Sequence, residues 1–131
     1  MDYTVEKDHK SNTEEVSYAY LKSNDFHWNE MYYKNKRSVV FNADEDGYKL
    51  VAGLQEELIN KYHFELVNSY AFNDVRQEYK KGNVDYMLQY DCTYGFIVFS
   101  ANIHESQEEL IDDFRRVSAG LKKYKIENGF E

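Results

Sequence analysis

The sequence predicts an α+β fold in which one mainly antiparallel sheet has two helices packed against it. Two segments place apolar residues at helical spacing, and the short segments before and between them are β-branched or alternate between apolar and polar residues. The chain has 131 residues, close to the size of one domain, and shows no linker or internal repeat. We therefore predict a single domain (1–131) with an N-terminal helical segment over 1–36, an α+β core over 37–125 ordered β-α-β-β-β-α, and a tail over 126–131.

The N-terminal segment contains one predictable helix, over about residues 13–22. Val16, Ala19 and Tyr20 recur at helical spacing behind a Ser-Asn-Thr-Glu sequence that resembles a capping box. Residues 26–33 carry aromatic side chains on too many sides for one narrow helical stripe, so the pattern assigns no element to them.

The core is predicted to begin with a strand, a helix and a second strand. Residues 37–43 are β-branched in the middle and bounded by polar residues, which predicts a strand. The acidic run before Gly47 then opens a helix whose apolar stripe is Leu50, Val51, Leu54, Leu58, Ile59 and Tyr62. Residues 64–72 alternate, with Asn68 interrupting the apolar face, so we predict a strand there and a crossover unit overall.

The remaining predicted elements are a hairpin, a central strand and a long helix. Alternating residues flank a Lys-Gly-Asn turn signal, which predicts a hairpin of 75–80 with 84–92. Residues 96–101 are apolar on both faces, as expected of a strand in the middle of a sheet. The last helix has a capping box that begins at Ser106 and a buried stripe formed by Leu110, Ile111, Phe114, Val117, Leu121 and Tyr124.

Composition and charge argue against several classes of function. The net charge is −8, so the chain lacks the basic patch that direct nucleic-acid binding requires, and a basic partner fits better than an acidic one. No stretch approaches the roughly 20 apolar residues of a membrane helix, and the N-terminus lacks the apolar region of a secretory signal. The single cysteine, Cys92, cannot form an internal disulfide. We therefore expect a cytoplasmic protein without membrane association.

The sequence offers no motif for catalysis, metal binding or a cofactor. The four histidines are scattered and the six glycines stand apart, so neither a metal-ligand pair nor a phosphate-binding loop is formed. Cys92 would act as a nucleophile only if His63 or His104 lay beside it, and its place on the apolar face of a predicted strand favours a packed core thiol. We predict a protein without catalytic residues, metal or cofactor.

Two surface features are candidates for partner binding. The first is acidic and combines the beginning of the last helix with the run before Gly47: Glu105, Glu108, Glu109, Asp112, Asp113, Asp44, Glu45 and Asp46. The alternative interpretation is that the helix acids only complement the positive end of the helix dipole. The second feature is the aromatic segment with Trp28, Tyr32 and Tyr33, residue types common in binding hot spots. The alternative there is that the aromatic side chains fasten the N-terminal segment to the core.

The leading hypothesis is a non-enzymatic inhibitor that binds a basic protein through an acidic surface studded with tyrosines. It fits a phage or mobile-element anti-defence protein that blocks a nucleic-acid-binding enzyme, and also a cytoplasmic immunity protein that neutralises a basic toxin. A competing hypothesis is a small-molecule binder or enzyme with a site between sheet and helices, where Tyr86, Tyr90 and Cys92 would line a pocket. A third is an assembly protein that self-associates through a strand edge or the N-terminal helix. The sequence leaves the oligomeric state open.

Overall fold

The computed structural model describes residues 28–33, 36–43 and 46–130. In chain order its elements are β1 (Trp28–Tyr33), β2 (Lys36–Asn42), α1 (Gly47–Glu56) followed by a π-helical turn (Glu57–Lys61), β3 (Glu65–Ala71), β4 (Val75–Lys81), β5 (Val84–Asp91), β6 (Phe96–Asn102) and α2 (Glu108–Glu127). The predicted α+β class is confirmed. The helix predicted over 13–22 lies outside the described residues.

The strands form one sheet in the order β1-β2-β6-β5-β4-β3, and every neighbouring pair is antiparallel. β6 lies between β2 and β5, which confirms its prediction as a mid-sheet strand. Because each neighbour reverses direction, β2 and β3 run the same way although three strands separate them. α1 therefore connects two strands of like direction, as in the predicted crossover unit.

The predicted order β-α-β-β-β-α contains one strand too few. Four strands follow α1, and they correspond to the segments predicted individually over 64–72, 75–80, 84–92 and 96–101, so the stated order counted one strand fewer than those segments. The chain reverses between β3 and β4 at residues 72–74. The backbone N–H of Phe72 donates a hydrogen bond to the carbonyl oxygen of Asp74 in this bend. Residues 28–33, to which the sequence pattern assigned no element, form β1 at the edge of the sheet beside β2.

Both helices pack on one face of the sheet, which we call the helix face. The helix stripes and the inward side chains of β2, β4, β5 and β6 form a single buried cluster. The predicted stripes are confirmed, since every member of both is buried or partly buried in this cluster. The start of α2 differs from its prediction: the N-cap position is occupied by Gln107, whose side-chain oxygen accepts a hydrogen bond from the N–H of His104 at 2.9 Å, so Ser106 is not the cap.

Phe99 lies at the centre of this cluster. Its ring stacks on Phe114 of α2 with centroids 5.5 Å apart and planes 7° from parallel. The ring of Tyr86 stacks on it from the neighbouring strand at 5.7 Å, and Phe64 contacts it at 6.3 Å. Phe99 therefore joins one helix, two strands and the segment before β3.

Two glycine–tyrosine contacts join the helices reciprocally. Gly120 of α2 accommodates the side chain of Tyr62 at the end of the π-helical turn, and Gly53 of α1 accommodates Tyr124 of α2. A Cβ atom at either glycine would overlap the hydroxyl end of the facing tyrosine. The two helices can approach this closely because each carries a glycine, which has no side chain, where the tyrosine of the other packs.

The two ends of the sheet carry different loops. At the end where α1 begins, Asn42 pairs with Phe96, and the N–H of Ala43 donates to the carbonyl oxygen of Gly95 at 2.9 Å. At the end where α2 begins, Lys36 pairs with Asn102. We call these the α1 end and the α2 end; seven-residue strands separate them by roughly 20 Å.

Candidate functional site

Four aromatic side chains are exposed at the α1 end of the sheet, and we call them the aromatic patch: Tyr48 in α1, Tyr70 in β3, Phe72 in the 72–74 turn and Tyr94 in the β5–β6 turn. Their exposed fractions are 52%, 53%, 93% and 40%. Tyr70 and Phe72 line one surface depression together with Asp74. Large exposed aromatics grouped on one part of a surface are a common mark of an interaction site.

Tyr48 ties this patch to the fold. Its hydroxyl group donates a hydrogen bond to the carbonyl oxygen of Asn73 in the turn. Its ring meets the ring of Tyr90 edge-on, with centroids 5.0 Å apart and an interplanar angle of 82°. Tyr90 in turn fills the space above Gly47, where a Cβ atom would overlap its ring. The start of α1 and the β3–β4 turn are thereby held together.

Two aspartates fix the loops that display the patch. One carboxylate oxygen of Asp74 accepts the backbone N–H of Cys92 at 3.0 Å, which connects the 72–74 turn to the β5–β6 turn. One carboxylate oxygen of Asp91 accepts the N–H groups of Thr93 and Tyr94 at 3.0 and 3.1 Å. The patch is thus presented on loops with defined hydrogen bonds, which lowers the entropy that binding would cost.

The predicted acidic surface is divided between the two ends of the sheet. Asp46 is exposed immediately before α1 and lies near Tyr48 at the α1 end. Glu105, Glu108 and Asp112 belong to the α2 end. Asp44 and Glu45 lie outside the described residues. The described acids therefore form two separate groups, which the sequence could not show.

The acids at the α2 end form what we call the α2 acidic face: Glu105, Glu108, Glu109 and Asp112. All four are exposed. Three of them, together with Arg37 and Arg115, line a shallow pocket of about 330 Å³. The guanidinium nitrogen of Arg115 lies 3.9 Å from a carboxylate oxygen of Asp112, which makes a weak ion pair at the surface. The positive charges of Arg37 and Arg115 weaken the negative electrostatic field of the α2 acidic face.

Asp113 differs from these acids because its charge is used inside the molecule. Its carboxylate accepts a hydrogen bond from Arg116 at 2.6 Å and lies 3.4 Å from the Lys81 ammonium. Partial burial opposes ionisation of Asp113, but the Arg116 hydrogen bond and the Lys81 charge outweigh it, so its pKa lies below its ordinary value. This residue fastens α2 to the end of β4 and is a poor candidate for partner contact.

Replacing Asp113 with asparagine is expected to cost about 1–2 kcal/mol of unfolding free energy at pH 7. A lowered folded-state pKa contributes stability above the unfolded value, near 3.9, and this contribution disappears as the pH falls through the folded value. The difference from the parent, measured by urea unfolding, should therefore shrink as the pH is lowered below the unfolded-state value toward and past the lower folded-state value. Asp112→Asn is the matched control and should cost under about 0.5 kcal/mol; equal costs for the two variants would contradict this role.

The aromatic segment predicted as a second site belongs to β1. Trp28, Tyr32 and Tyr33 are paired in register with Phe41, Arg37 and Lys36 of β2. β1 is at the edge of the sheet opposite to β3, so these positions are separated from the aromatic patch by the width of the sheet.

No protein-family model matches this chain, and the comparisons with curated proteins and with solved structures return no match. Functional argument therefore rests on the geometry of the described residues.

The geometry does not favour a nucleophilic cysteine. Cys92 lies in the β5–β6 turn at the α1 end, whereas His63 precedes β3 and His104 precedes α2, both at the α2 end. The hydrogen bond to the Asp74 carboxylate, together with burial, raises the pKa of the Cys92 thiol, so the thiol is protonated at neutral pH. Cys92 was predicted on the apolar face of a strand, but it follows the last residue of β5 and is only partly buried against the core.

The tyrosines proposed to line a pocket between sheet and helices are packed instead. Tyr86 and Tyr90 are 3% and 4% exposed. Tyr86 fills its position by stacking on Phe99, and burial, followed by the charge of Asp113, raises its pKa to about 12. Within the described part of the chain, no three His, Cys, Asp or Glu residues are grouped to hold a metal ion, and no helix is long and apolar enough to cross a membrane.

Sequence reasoning missed the aromatic patch because it placed Tyr70 and Phe72 on the inner face of a strand. Simple alternation puts Tyr70 on the same face as Leu66, but the register of β3 shifts between Leu66 and Asn68. Tyr70 is therefore paired with Arg76 and lies on the face away from the helices. The available signal was the Asn73-Asp74 pair directly after Phe72, because Asn and Asp favour turns. An aromatic residue at a turn is exposed unless another element covers it.

Proposed function

We propose that this chain is a non-enzymatic binding protein that inhibits a basic partner protein and contacts it through the aromatic patch. The observation that carries the proposal is the 93% exposure of Phe72 on a turn that Tyr48 and Asp74 hold in place. Burying a phenylalanine side chain in a partner contributes about 1.5–3 kcal/mol, and aromatic residues dominate binding hot spots. A fixed, exposed aromatic group is well suited to anchor such a contact.

Charge supports a basic partner. The chain carries a net charge of −8, and Asp46 and Asp74 are exposed beside the aromatic patch. A negative field raises the encounter rate with a positively charged protein, and the α2 acidic face adds to this field from the other end of the sheet. In the cytoplasm, a nucleic-acid-binding enzyme targeted by an anti-defence protein and a basic toxin targeted by an immunity protein are both partners of this kind.

The test compares variants of the immobilised protein for capture and measured affinity of a basic host protein. Phe72→Ser/Tyr94→Ser removes two aromatic side chains of the patch. Val67→Ser, which changes a half-exposed apolar residue on β3, is the matched control. Loss of hot-spot contacts worth about 2 kcal/mol predicts binding roughly 30-fold weaker for the double variant. The control should bind like the parent.

A third variant distinguishes direct contact with the partner from long-range electrostatic attraction. Glu108→Gln/Glu109→Gln/Asp112→Asn removes three of the four negative charges of the α2 acidic face. It is expected to slow association and reduce its salt dependence while leaving dissociation unchanged. If this variant loses binding and the aromatic variant does not, the contact lies on α2 and the assignment to the aromatic patch is wrong. Absence of any specific basic partner would contradict the inhibitor itself.

A further inference from the structure

A strip of buried residues crosses the face of the sheet that the helices do not cover. It consists of Ser38 and Val40 on β2 and Phe96, Val98 and Ser100 on β6, with exposed fractions of 7%, 1%, 5%, 7% and 5%. Val40 is paired with Val98 and Ser38 with Ser100, so the members are neighbours.

These side chains point away from the helices. Successive residues of a strand face opposite sides, and Val39 and Phe99 belong to the cluster on the helix face. Val40 and Val98 are absent from that cluster although both are buried. The helices therefore do not account for their burial.

Burial on this second face decreases from one side of the sheet to the other. The strip on β2 and β6 is closed to solvent, while Met87 and Gln89 on β5 are partly exposed. Arg76 on β4 and Tyr70 on β3 are exposed. A cover that produces this gradient must lie on the β1 side of the sheet.

The chain has one undescribed stretch long enough to be this cover. Residues 34–35, 44–45 and 131 are too few, whereas residues 1–27 lead directly into Trp28, the first residue of β1 beside β2. The sequence of residues 1–27 also provides apolar side chains for such a cover, because Val16, Ala19 and Tyr20 recur at helical spacing.

We propose that residues 1–27 of the same chain pack over the strip formed by Ser38, Val40, Phe96, Val98 and Ser100. The domain is then three layers deep on this side: helices, sheet and N-terminal segment. The second face of the sheet is thereby closed to other proteins near β2 and β6, and any partner contact is restricted to the surfaces at the ends and at β3.

The first measurement is thiol protection in the full-length chain. In a Cys92→Ala background, Ser100→Cys tests the strip, and Asn68→Cys is the control on the same face at the exposed edge. A covered thiol reacts only when its cover opens, so we expect a charged thiol reagent to modify position 100 at least about tenfold more slowly than position 68. Equal rates would overturn the proposal.

The second measurement identifies the cover. Ser100→Cys is combined in turn with Val16→Cys, Ala19→Cys or Tyr20→Cys and treated with a short flexible bis-maleimide. At least one pair should give a link within one chain whose yield does not depend on protein concentration. Links found only between two chains would assign the cover to a second copy, and no link from any of the three positions would exclude the N-terminal segment; either result overturns the proposal.

Discussion

Replacing Phe99 with alanine is expected to lower the free energy of unfolding by about 3–5 kcal/mol, more than any other single substitution we predict. The side chain is fully buried and contacts Phe64, Tyr86 and Phe114, so its removal leaves a cavity bounded by three aromatic rings that cannot all move inward. For a domain whose total stability is about 5–15 kcal/mol, this loss removes between about a fifth and all of the stability. Urea unfolding followed by circular dichroism measures it.

The same substitution at Phe72 is the matched control. Phe72 is 93% exposed, so Phe72→Ala should change the free energy of unfolding by less than about 0.5 kcal/mol. A cost at Phe72 that approaches the cost at Phe99 would mean that the 72–74 turn is packed against other residues. It would also contradict the role proposed for the aromatic patch.

Replacing Gly120 with alanine has the second-largest expected effect, a loss of about 1–3 kcal/mol. In an open helix this change would stabilise the protein by up to about 1 kcal/mol, because glycine is a poor helix former. Here the added methyl group would overlap the hydroxyl end of the buried Tyr62, and either α2 or the tyrosine must shift. The sign of the measured effect therefore decides whether the helix contact dominates over helix propensity.

A double-mutant cycle with Tyr62→Leu isolates this contact. Leucine at position 62 removes the hydroxyl end that meets Gly120, so Gly120→Ala in that background should be neutral or slightly stabilising. The coupling energy between the two sites should then exceed about 1 kcal/mol. If Gly120→Ala costs the same in both backgrounds, the close approach of α2 to Tyr62 is not what requires a glycine.

The helices and the central strand were predictable because the apolar positions in their sequences are the positions that become buried in the fold. The stripe from Leu50 to Tyr62 faces the sheet, and the run Phe96–Ser100 is mainly apolar because its residues are buried on both faces of β6. β1 was not predictable, because Trp28–Tyr33 alternates neither like a strand nor like a helix and is placed only by its pairing with β2. Lateral order in the sheet is a long-range property that local spacing does not encode.

The site was less predictable than the fold. The sequence marks acidic residues but not their position, so it joined Asp46 to the acids of α2 although the length of the sheet separates them. It also did not distinguish Asp113, which is paired with Lys81 and Arg116, from Asp112, which is largely exposed. Exposure and pairing depend on tertiary neighbours, and they decide which carboxylates remain for a partner.

The order of strands in the sheet also has a consequence for how the chain folds. β3, β4, β5 and β6 follow one another in sequence and in space, so each pairs with its predecessor across a short loop. β2 pairs with β6 across a much longer stretch, from 54 positions for residues 42 and 96 to 66 positions for residues 36 and 102. Closing that stretch costs more chain entropy than closing a hairpin. We therefore expect the four-strand meander to form early and the docking of β2, which completes both faces of β6, to be the late and slower event.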